Sequence, residues 1–457
     1  MVDRRDSRNS LPPAFVLDMG ANGLGVARTL GRNGVPVVGV DSRPKAPGLR
    51  SRYVRPLVCP DVLTQPDPAL DALLKASQNM DGKSTLFPAS DAAVLFMVRH
   101  QRQLSEHFEF IVPPDNIVNV VADKKAQYEE AVRLGIPVTR TYFPRCMDDL
   151  GEIIERVRLP ALIKPLHSHL WCRTFGNKGF TVNTPRELRE RMQAVFESGH
   201  EVLVQSVMWP PGKDLCSVGA YFGRGGYASP PICWRKIRQC PPNFGVGSLV
   251  ESTHQPEVAY LGMKLMRGLG YRGIGYVEFK KDCRDGRWKM VELNARTGQT
   301  NALLAAAGLP LVMFQYCDLI GAPLPSVESY RDGVKWWDAM NDLDSFWRLR
   351  RREELTFMKW VRSWVSSEVH AYYAPDDIWP AVARAGFGVN VVKMAFGLLK
   401  MDTDEDALAL QYRPPRSVAN SRAPNVLLPD VPSRPFTENE WSCGRLPEAS
   451  VPSSPEE

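Results

Sequence analysis

The chain has 457 residues, of which 44% are hydrophobic and 24% charged, as expected for a globular protein. A formal net charge of +6 is small for this length and does not indicate a nucleic-acid-binding protein. The nine cysteines are odd in number and include no CxxC pair, which argues against a disulfide framework and favours reduced thiols in the cytoplasm.

The first part of the chain predicts alternating strands and helices. A short apolar run at Phe15–Leu17 is followed by a glycine-containing turn, a helix over Val26–Asn33 and a second apolar run at Val35–Val40. Strand, helix and strand in this order form a βαβ unit, which implies a parallel sheet. We therefore predict an α/β unit at the beginning of the chain.

The turn in this unit contains Gly20, Gly23 and Gly25, and Asn22 stands where the dinucleotide fingerprint GxGxxG has its second glycine. Asp41, at the end of the second apolar run, lies where a ribose-binding acid would be. Two interpretations stay open. The turn either binds a dinucleotide, or it packs within the fold or binds another small ligand.

The order of elements changes further along the chain. From about residue 121 strands and helices mix irregularly, which predicts an α+β unit. The uncharged stretch Thr297–Cys317 is broken by Gly308-Leu309-Pro310, so two short buried helices fit it better than a membrane span. Residues 330–400 are rich in Trp and Arg and predict a mostly helical extension, and the Pro-rich residues 401–457 predict a disordered tail.

The strongest indication of chemistry comes from two strands around a turn at Asp285-Gly286. Glu292 and Asn294 are two residues apart on one strand and share a face. A hairpin centred on the turn would place Glu278 opposite Glu292, to within one residue. Two carboxylates and an amide oxygen are ligands that suit Mg²⁺. Arg296, next on the same face, could hold a phosphate or a carboxylate; the alternative is a solvated face with cross-strand charges.

Two lysines add to this pattern. Lys164 ends the apolar run Pro160–Ile163, and a lysine at the end of a buried strand requires an anion to offset its desolvation, unless the ammonium group reaches water. Lys124 follows Asp123 at the beginning of a predicted helix, where it could also be part of a surface charge cluster.

In order and spacing, five segments resemble the ATP-grasp superfamily, and most of all its carboxylate–amine ligases, such as D-aspartate ligase and carbamoyl-phosphate-synthase-like proteins. The segments are Asp123-Lys124, Ile163-Lys164-Pro165, Val202–Gln205, Gly275–Phe279 and Glu292–Arg296. The resemblance covers residues 14–325. It implies a Rossmann-like pre-ATP-grasp domain at 14–120 and an ATP-grasp domain at 121–325, followed by the helical extension and the tail.

The resemblance also implies roles for residues. Two of them, Lys164 and Arg296, would be catalytic. The residues that would bind ATP are Lys124, Lys164, Lys178, Gln205, Val207, Met208 and Asp214. Those that would hold Mg²⁺, or Mn²⁺ in its place, are Glu278, Glu292 and Asn294. Arg235 and Arg238 are further candidates for contacts with a phosphate or a carboxylate.

The implied reaction joins a small carboxylate, activated as an acyl phosphate, to an amine, and both substrates are expected to be amino acids or similar molecules. One segment departs from the family pattern. The loop after Lys164 contains His167, His169 and Trp171 but only two glycines, Gly176 and Gly179, so its closure over phosphates is an open question. We expect Lys178 or the imidazoles to line it.

Two other functions remain as alternatives. The first is an NAD-linked oxidoreductase built on the N-terminal βαβ unit, which would leave the acidic strand pair unexplained. The second is a non-catalytic ATP-binding protein that acts through its C-terminal region. There, the basic cluster Arg348–Arg352 and the segment Trp379–Lys400 could contact an anionic membrane surface, although a packed helix with a solvated face is the simpler expectation.

Overall fold

The computed structural model describes residues 11–80, 82–114, 117, 118, 120, 123–166, 171, 174, 175 and 179–386. The predicted tail at 401–457, Lys178 and the two histidines of the phosphate loop lie outside the described residues. Within the described part of the chain, no helix is long and apolar enough to cross a membrane.

A parallel sheet of five strands, in the order β3-β2-β1-β4-β5, forms the first unit. Its strands are β1 (Ala14–Leu17), β2 (Val37–Asp41), β3 (Val54–Val58), β4 (Ser84–Pro88) and β5 (Phe108–Glu109). Its helices are α1 (Ala21–Arg32), α2 (Pro66–Ser77), α3 (Asp91–Arg99) and α4 (Gln101–His107). The central strand β1 is buried along its whole length, as expected when helices cover both faces of a parallel sheet.

The second unit contains a small antiparallel sheet in the order β6-β9-β7-β8. Its elements are α5 (Lys124–Arg133), β6 (Thr141–Tyr142), α6 (Leu150–Arg156), β7 (Ala161–Pro165), β8 (Phe180–Val182), α7 (Pro185–Glu197) and β9 (Val202–Ser206). Helices α6 and α7 pack with this sheet around one apolar core. Helix α5 belongs instead to the core of the larger sheet that follows.

A sheet of seven strands, in the order β14-β13-β10-β11-β12-β15-β16, forms the other half of the second unit. Its strands are β10 (Leu215–Phe222), β11 (Ile232–Cys240), β12 (Val246–Thr253), β13 (Gly273–Asp282), β14 (Arg287–Asn294), β15 (Lys335–Trp337) and β16 (Val369–His370). Helix α8 (Pro256–Gly268) packs against β10 and β13. The uncharged stretch forms two helices, α9 (Asn301–Ala306) and α10 (Leu311–Leu319), which confirms the prediction of two short helices.

The C-terminal extension continues this sheet and adds helices beside it. Strands β15 and β16 join the edge of the sheet, and the helices are α11 (Ala339–Arg351), α12 (Phe357–Trp364) and α13 (Trp379–Gly386). The predicted combination of a parallel α/β unit with a mixed α+β unit is thus confirmed. Two sheets of the second unit face one another, and this arrangement creates the site described next.

Candidate active site

A cavity of about 900 Å³ lies between the four-stranded and the seven-stranded sheets. The smaller sheet contributes Ile163, Lys164 and Gln205, and the larger sheet contributes polar side chains from β11, β13 and β14. Asp91, at the beginning of α3, reaches the cavity from the first unit. Both sheets of the second unit and one helix of the first unit therefore supply residues to one site.

Glu278 and Glu292 lie directly opposite one another in the register of β13 and β14. The next pair on the same face is Tyr276 and Asn294, so both glutamates and the asparagine line the cavity. A bulge after Glu278 shifts the register towards the turn but leaves these two pairs aligned. The structure thus brings together the three predicted metal ligands.

Lys164 and Lys124 approach this acidic pair from two other elements. The Lys124 ammonium group lies 4.0 Å from a Glu292 carboxylate oxygen and donates to the Pro165 carbonyl oxygen at 3.3 Å. Lys164 donates to the Gln205 side-chain oxygen at 3.4 Å. Burial and the nearby charge of Lys124 lower the pKa of Lys164 to about 8. A site that holds two ammonium groups so near one another favours an anionic ligand.

The helix that carries Lys124 is fixed against β14 by buried polar contacts. Gln127 exchanges two hydrogen bonds with the backbone of Leu293, at 3.1 and 2.9 Å, and the Tyr128 hydroxyl donates to the Val291 carbonyl oxygen at 3.0 Å. Asp123 caps the helix by accepting from the Lys125 amide at 2.7 Å. These contacts hold the backbone of Lys124 in place beside Glu292.

Arg296 connects the cavity to the first unit. Its guanidinium group donates to both carboxylate oxygens of Asp91, at 2.7 and 3.1 Å, and to the Asn294 side-chain oxygen at 3.2 Å. Burial acts to lower the pKa of Arg296, but the Tyr276 hydroxyl and the Asp91 carboxylate outweigh it and raise that pKa. Arg296 is thus a permanent cation at the rim of the cavity.

The predicted adenine-binding segment only partly faces the cavity. Met208 lines the cavity, whereas the Val207 amide donates to the Pro160 carbonyl oxygen at 2.9 Å and the Val207 carbonyl oxygen accepts from Arg284 at 3.0 Å. Asp214 is exposed and is not among the residues that line the cavity. The structure therefore brings Met208 to the site, but it does not place Asp214 there.

Arg235 and Arg238 form ion pairs and do not line the cavity, which corrects the expectation that they contact a ligand. Arg235 pairs with Glu251 at 2.5 Å with 60% of its side chain exposed, and Arg238 forms a buried bidentate pair with Asp342. The cation that β11 contributes is Lys236, whose ammonium group lies 2.5 Å from the Glu278 carboxylate. The alternation of side chains along a strand explains why Lys236 and not Arg235 reaches Glu278. Trp234 pairs with Ser217, and Ser217 pairs with Glu278, so these three side chains lie on one face of the sheet. Lys236 is two residues beyond Trp234 and therefore lies on the same face.

The glycine turn near the N-terminus serves packing between the two units. The Asn22 amide group donates to the carbonyl oxygens of Ala89 and Thr297, at 2.7 and 2.6 Å, and its oxygen accepts from Asn301 at 2.7 Å. Asp41 accepts from the Met19 amide and from the Arg43 guanidinium group. The contacts of Asn22 and Asp41 favour the packing interpretation of this turn over dinucleotide binding.

The donor set fits a magnesium ion that shares its coordination with a phosphate. In the part of the chain that the structure describes, no group of three or more His, Cys, Asp and Glu side chains could hold a metal. Glu278 and Glu292 with the Asn294 amide oxygen form a smaller set. Mg²⁺ commonly takes one or two carboxylates and completes its shell with waters and substrate phosphates.

No protein-family model matches the chain. It is 22% identical over 247 residues to the D-aspartate ligase of Enterococcus faecium, and this alignment covers 51% of this chain and 58% of that protein. It is 27% identical to the formate-dependent phosphoribosylglycinamide formyltransferase of Ignicoccus hospitalis, covering 69% of this chain and 77% of that one. The first relative is therefore matched over less than two thirds of its own length.

Among solved structures, the biotin carboxylase domain of the 2-oxoglutarate carboxylase of Hydrogenobacter thermophilus, in complex with MgADP, ADP and bicarbonate, superposes with a TM-score of 0.55. The identity is 15%, and the match covers 72% of this chain and 74% of that domain. These likenesses agree with the ordered motifs and the facing sheets. The chain has the ATP-grasp fold and is a distant relative of the ATP-grasp carboxylate–amine ligases.

Proposed function

We propose that this chain is an ATP-dependent ligase that joins a small carboxylate to an amine through an acyl-phosphate intermediate. The observation that carries the proposal is the convergence of Lys124, Lys164, Glu278, Glu292 and Arg296 on one cavity between two facing sheets. Its relatives include a D-aspartate ligase, and a protein of the same fold binds MgADP.

In the first step, a carboxylate oxygen of the substrate attacks the γ-phosphorus of ATP, and ADP leaves. Both reactants are anions, so the task of the protein is to align them and to neutralise charge. Lys124 and Lys164 would hold the phosphates, and Arg296 would hold the carboxylate or the new acyl phosphate. When bound between Glu278, Glu292 and Asn294, Mg²⁺ would neutralise charge on the phosphate oxygens.

In the second step, the amine attacks the acyl carbon and inorganic phosphate leaves, while the amine nitrogen loses a proton. Binding energy for the phosphate at Lys124 and Lys164 keeps the intermediate in the cavity, away from bulk water. The substrates belong to the class of small carboxylates and amines, of which amino acids are the first candidates.

The test is Mg²⁺-dependent release of ADP from MgATP across a panel of amino acids and small carboxylates, with hydroxylamine added to trap an acyl phosphate as a hydroxamate. We expect at least one carboxylate to give both ADP and hydroxamate. Nucleotide binding without ADP release for any panel member would instead favour a non-catalytic ATP-binding protein.

A further inference from the structure

Helix α13, the last helix of the C-terminal extension that the structure describes, is held on the first unit by two acids that precede it. Asp377 is buried and accepts from the Arg28 guanidinium group at 2.9 Å. Asp376 accepts from Arg32 at 2.7 Å. The helix itself packs against the 3₁₀ turn Pro47–Arg50. These contacts fix the position of the helix and the face that it turns to solvent.

The solvent face at the beginning of this helix is apolar. Ile378, Trp379 and Val382 are 44%, 60% and 54% exposed, and spacings of three and four residues place Val382 on the same side of the helix as the other two. They belong to a wider pattern. Of the fifteen large hydrophobic side chains that are exposed among the described residues, eight lie between Trp347 and Val382. Such clustering in one segment indicates a surface that binds a partner, whereas single exposed apolar residues do not.

Three exposed cations of the first unit lie in or beside the 3₁₀ turn on which the helix packs. Lys45 comes two residues before the turn, Arg50 ends it, and Arg52 donates to the Asp376 carbonyl oxygen at 3.3 Å. In the part of the chain that the structure describes, none of these three cations forms an ion pair with a carboxylate. The two acids before the helix do not offset their charge, because each is already paired with another arginine.

The amino-acid sequence keeps the same character as it continues past the described residues. From Ile378 to Lys400 it contains Arg384, Lys393 and Lys400 but no aspartate or glutamate, and most of its other residues are apolar. Basic and apolar residues in one segment are typical of chains that lie at a membrane surface. Another protein is a less suitable partner, because lysine is depleted at protein–protein interfaces. An anionic lipid surface is complementary to both the apolar and the basic residues.

We infer that this part of the molecule is a docking surface for an anionic membrane, made of the apolar residues Ile378, Trp379 and Val382 and the basic residues Lys45, Arg50 and Arg52. The apolar side chains enter the boundary between headgroups and acyl chains, and the negative potential of the lipid surface attracts the cations. The inference does not depend on the proposed function, since none of these six residues lines the cavity between the sheets.

The test is sedimentation of the full chain with two kinds of vesicle, one of phosphatidylcholine alone and one of equal parts of phosphatidylcholine and phosphatidylglycerol. We expect wild type to bind only the anionic vesicles, and about 0.5 M NaCl should weaken this binding at least about tenfold through screening. Trp379→Gln/Val382→Gln should weaken it at least about tenfold by removing apolar contact, and Arg50→Gln/Arg52→Gln by a similar factor through the loss of two charges.

Matched controls come from the other face of the parallel sheet, where helices α2, α3 and α4 pack, whereas the 3₁₀ turn packs on the face that carries α1. Leu63→Gln/Leu95→Gln removes two exposed apolar side chains there, and Arg99→Gln/Arg102→Gln removes two exposed cations. Both controls should bind the anionic vesicles within about twofold of wild type, because they leave the docking surface intact. Thermal melting of every variant verifies that it is folded.

The inference is overturned if wild type binds neither kind of vesicle, if it binds both equally, or if the controls lose as much affinity as the variants of the docking surface. Two results would identify a different occupant of the apolar face, and each counts against a membrane when wild type does not bind vesicles. A lowered melting temperature of Trp379→Gln/Val382→Gln would show that another segment of this chain covers the face. A dimer of wild type that dissociates in this variant would show that a second copy does.

Discussion

The lowered pKa of Lys164 predicts that nucleotide binding is linked to proton uptake. In the ligand-free chain this pKa falls from 10.5 to about 8, mainly through burial, and the charge of Lys124 lowers it further. The difference corresponds to about 3 kcal/mol of destabilisation of the ammonium form. A bound triphosphate would supply the missing negative charge and raise the pKa again, so the deprotonated fraction must take up a proton when the nucleotide binds.

The magnitude follows from this titration. If the pKa in the complex lies well above 9, proton uptake per nucleotide should be about 0.1 at pH 7, about 0.5 at pH 8 and about 0.9 at pH 9. Affinity for MgADP should fall by about tenfold between pH 7 and pH 9, because the free protein increasingly has to be protonated before it binds. The affinity must fall and not rise with pH, because a lysine that is neutral in the free protein binds an anion less well than a charged one.

The assay is calorimetric titration of MgADP in two buffers with different ionisation enthalpies, at several pH values. Lys164→Arg is the matched control, because arginine remains charged throughout this range. It should bind MgADP without proton uptake and without the fall in affinity. Equal proton uptake in wild type and Lys164→Arg, or none in wild type at pH 8, would refute the assignment of Lys164 as a phosphate-binding residue.

Three substitutions test other parts of the structure. Glu292→Gln should abolish Mg²⁺-dependent ADP release while the melting temperature changes little, since the side chain is 44% exposed; unchanged turnover would refute its role as a metal ligand. Asp342→Ala should cost about 3–5 kcal/mol in urea unfolding, because it leaves Arg238 buried and unpaired, and Arg238→Met in the same chain should recover part of that loss. Asp377→Ala should have a similar cost through the buried Arg28, and a loss below 1 kcal/mol would show that this pair is solvated in solution.

Local patterns were sufficient to predict the acidic pair. Alternation along a strand places Glu292 and Asn294 on one face, and the turn at Asp285-Gly286 limits the register to within one residue. The structure has Glu278 opposite Glu292, and the bulge between Glu278 and Phe279 falls just beyond this pair. The parallel sheet of the first unit was equally accessible, because a βαβ unit has a strong local signature.

Lys236 was missed although strand alternation could have found it. Arg235 and Lys236 are adjacent and point to opposite faces, so only one of them can reach the cavity. The register shifts after Lys236 interrupt the period and obscure the face of Arg238. A pairing of β11 with β10, which connects Trp234 through Ser217 to Glu278, was needed to choose between them.

Other contributors to the site could not be predicted from spacing at all. Asp91 is 205 residues from its partner Arg296, and Arg348 comes from an extension whose position depends on the buried contacts of Asp342. Such contacts depend on how separate units pack against one another, and no local periodicity in a single sequence indicates that packing. Lys178 and the histidines of the phosphate loop lie outside the described residues, so their predicted roles stay predictions.

The polar contacts that join the first unit to the rest of the chain differ in how readily a ligand can replace them, as a comparison of three of them shows. Asn22 with Thr297, and Arg28 with Asp377, are buried, so opening either would leave desolvated groups without partners. In the third contact, Asp91 is 67% exposed while Arg296 is 18% exposed. An ion pair with one partner in water contributes little, and Asp91 regains its hydration when released. If the proposed function is correct, we therefore expect Arg296 to exchange Asp91 for a substrate anion while the two units stay together.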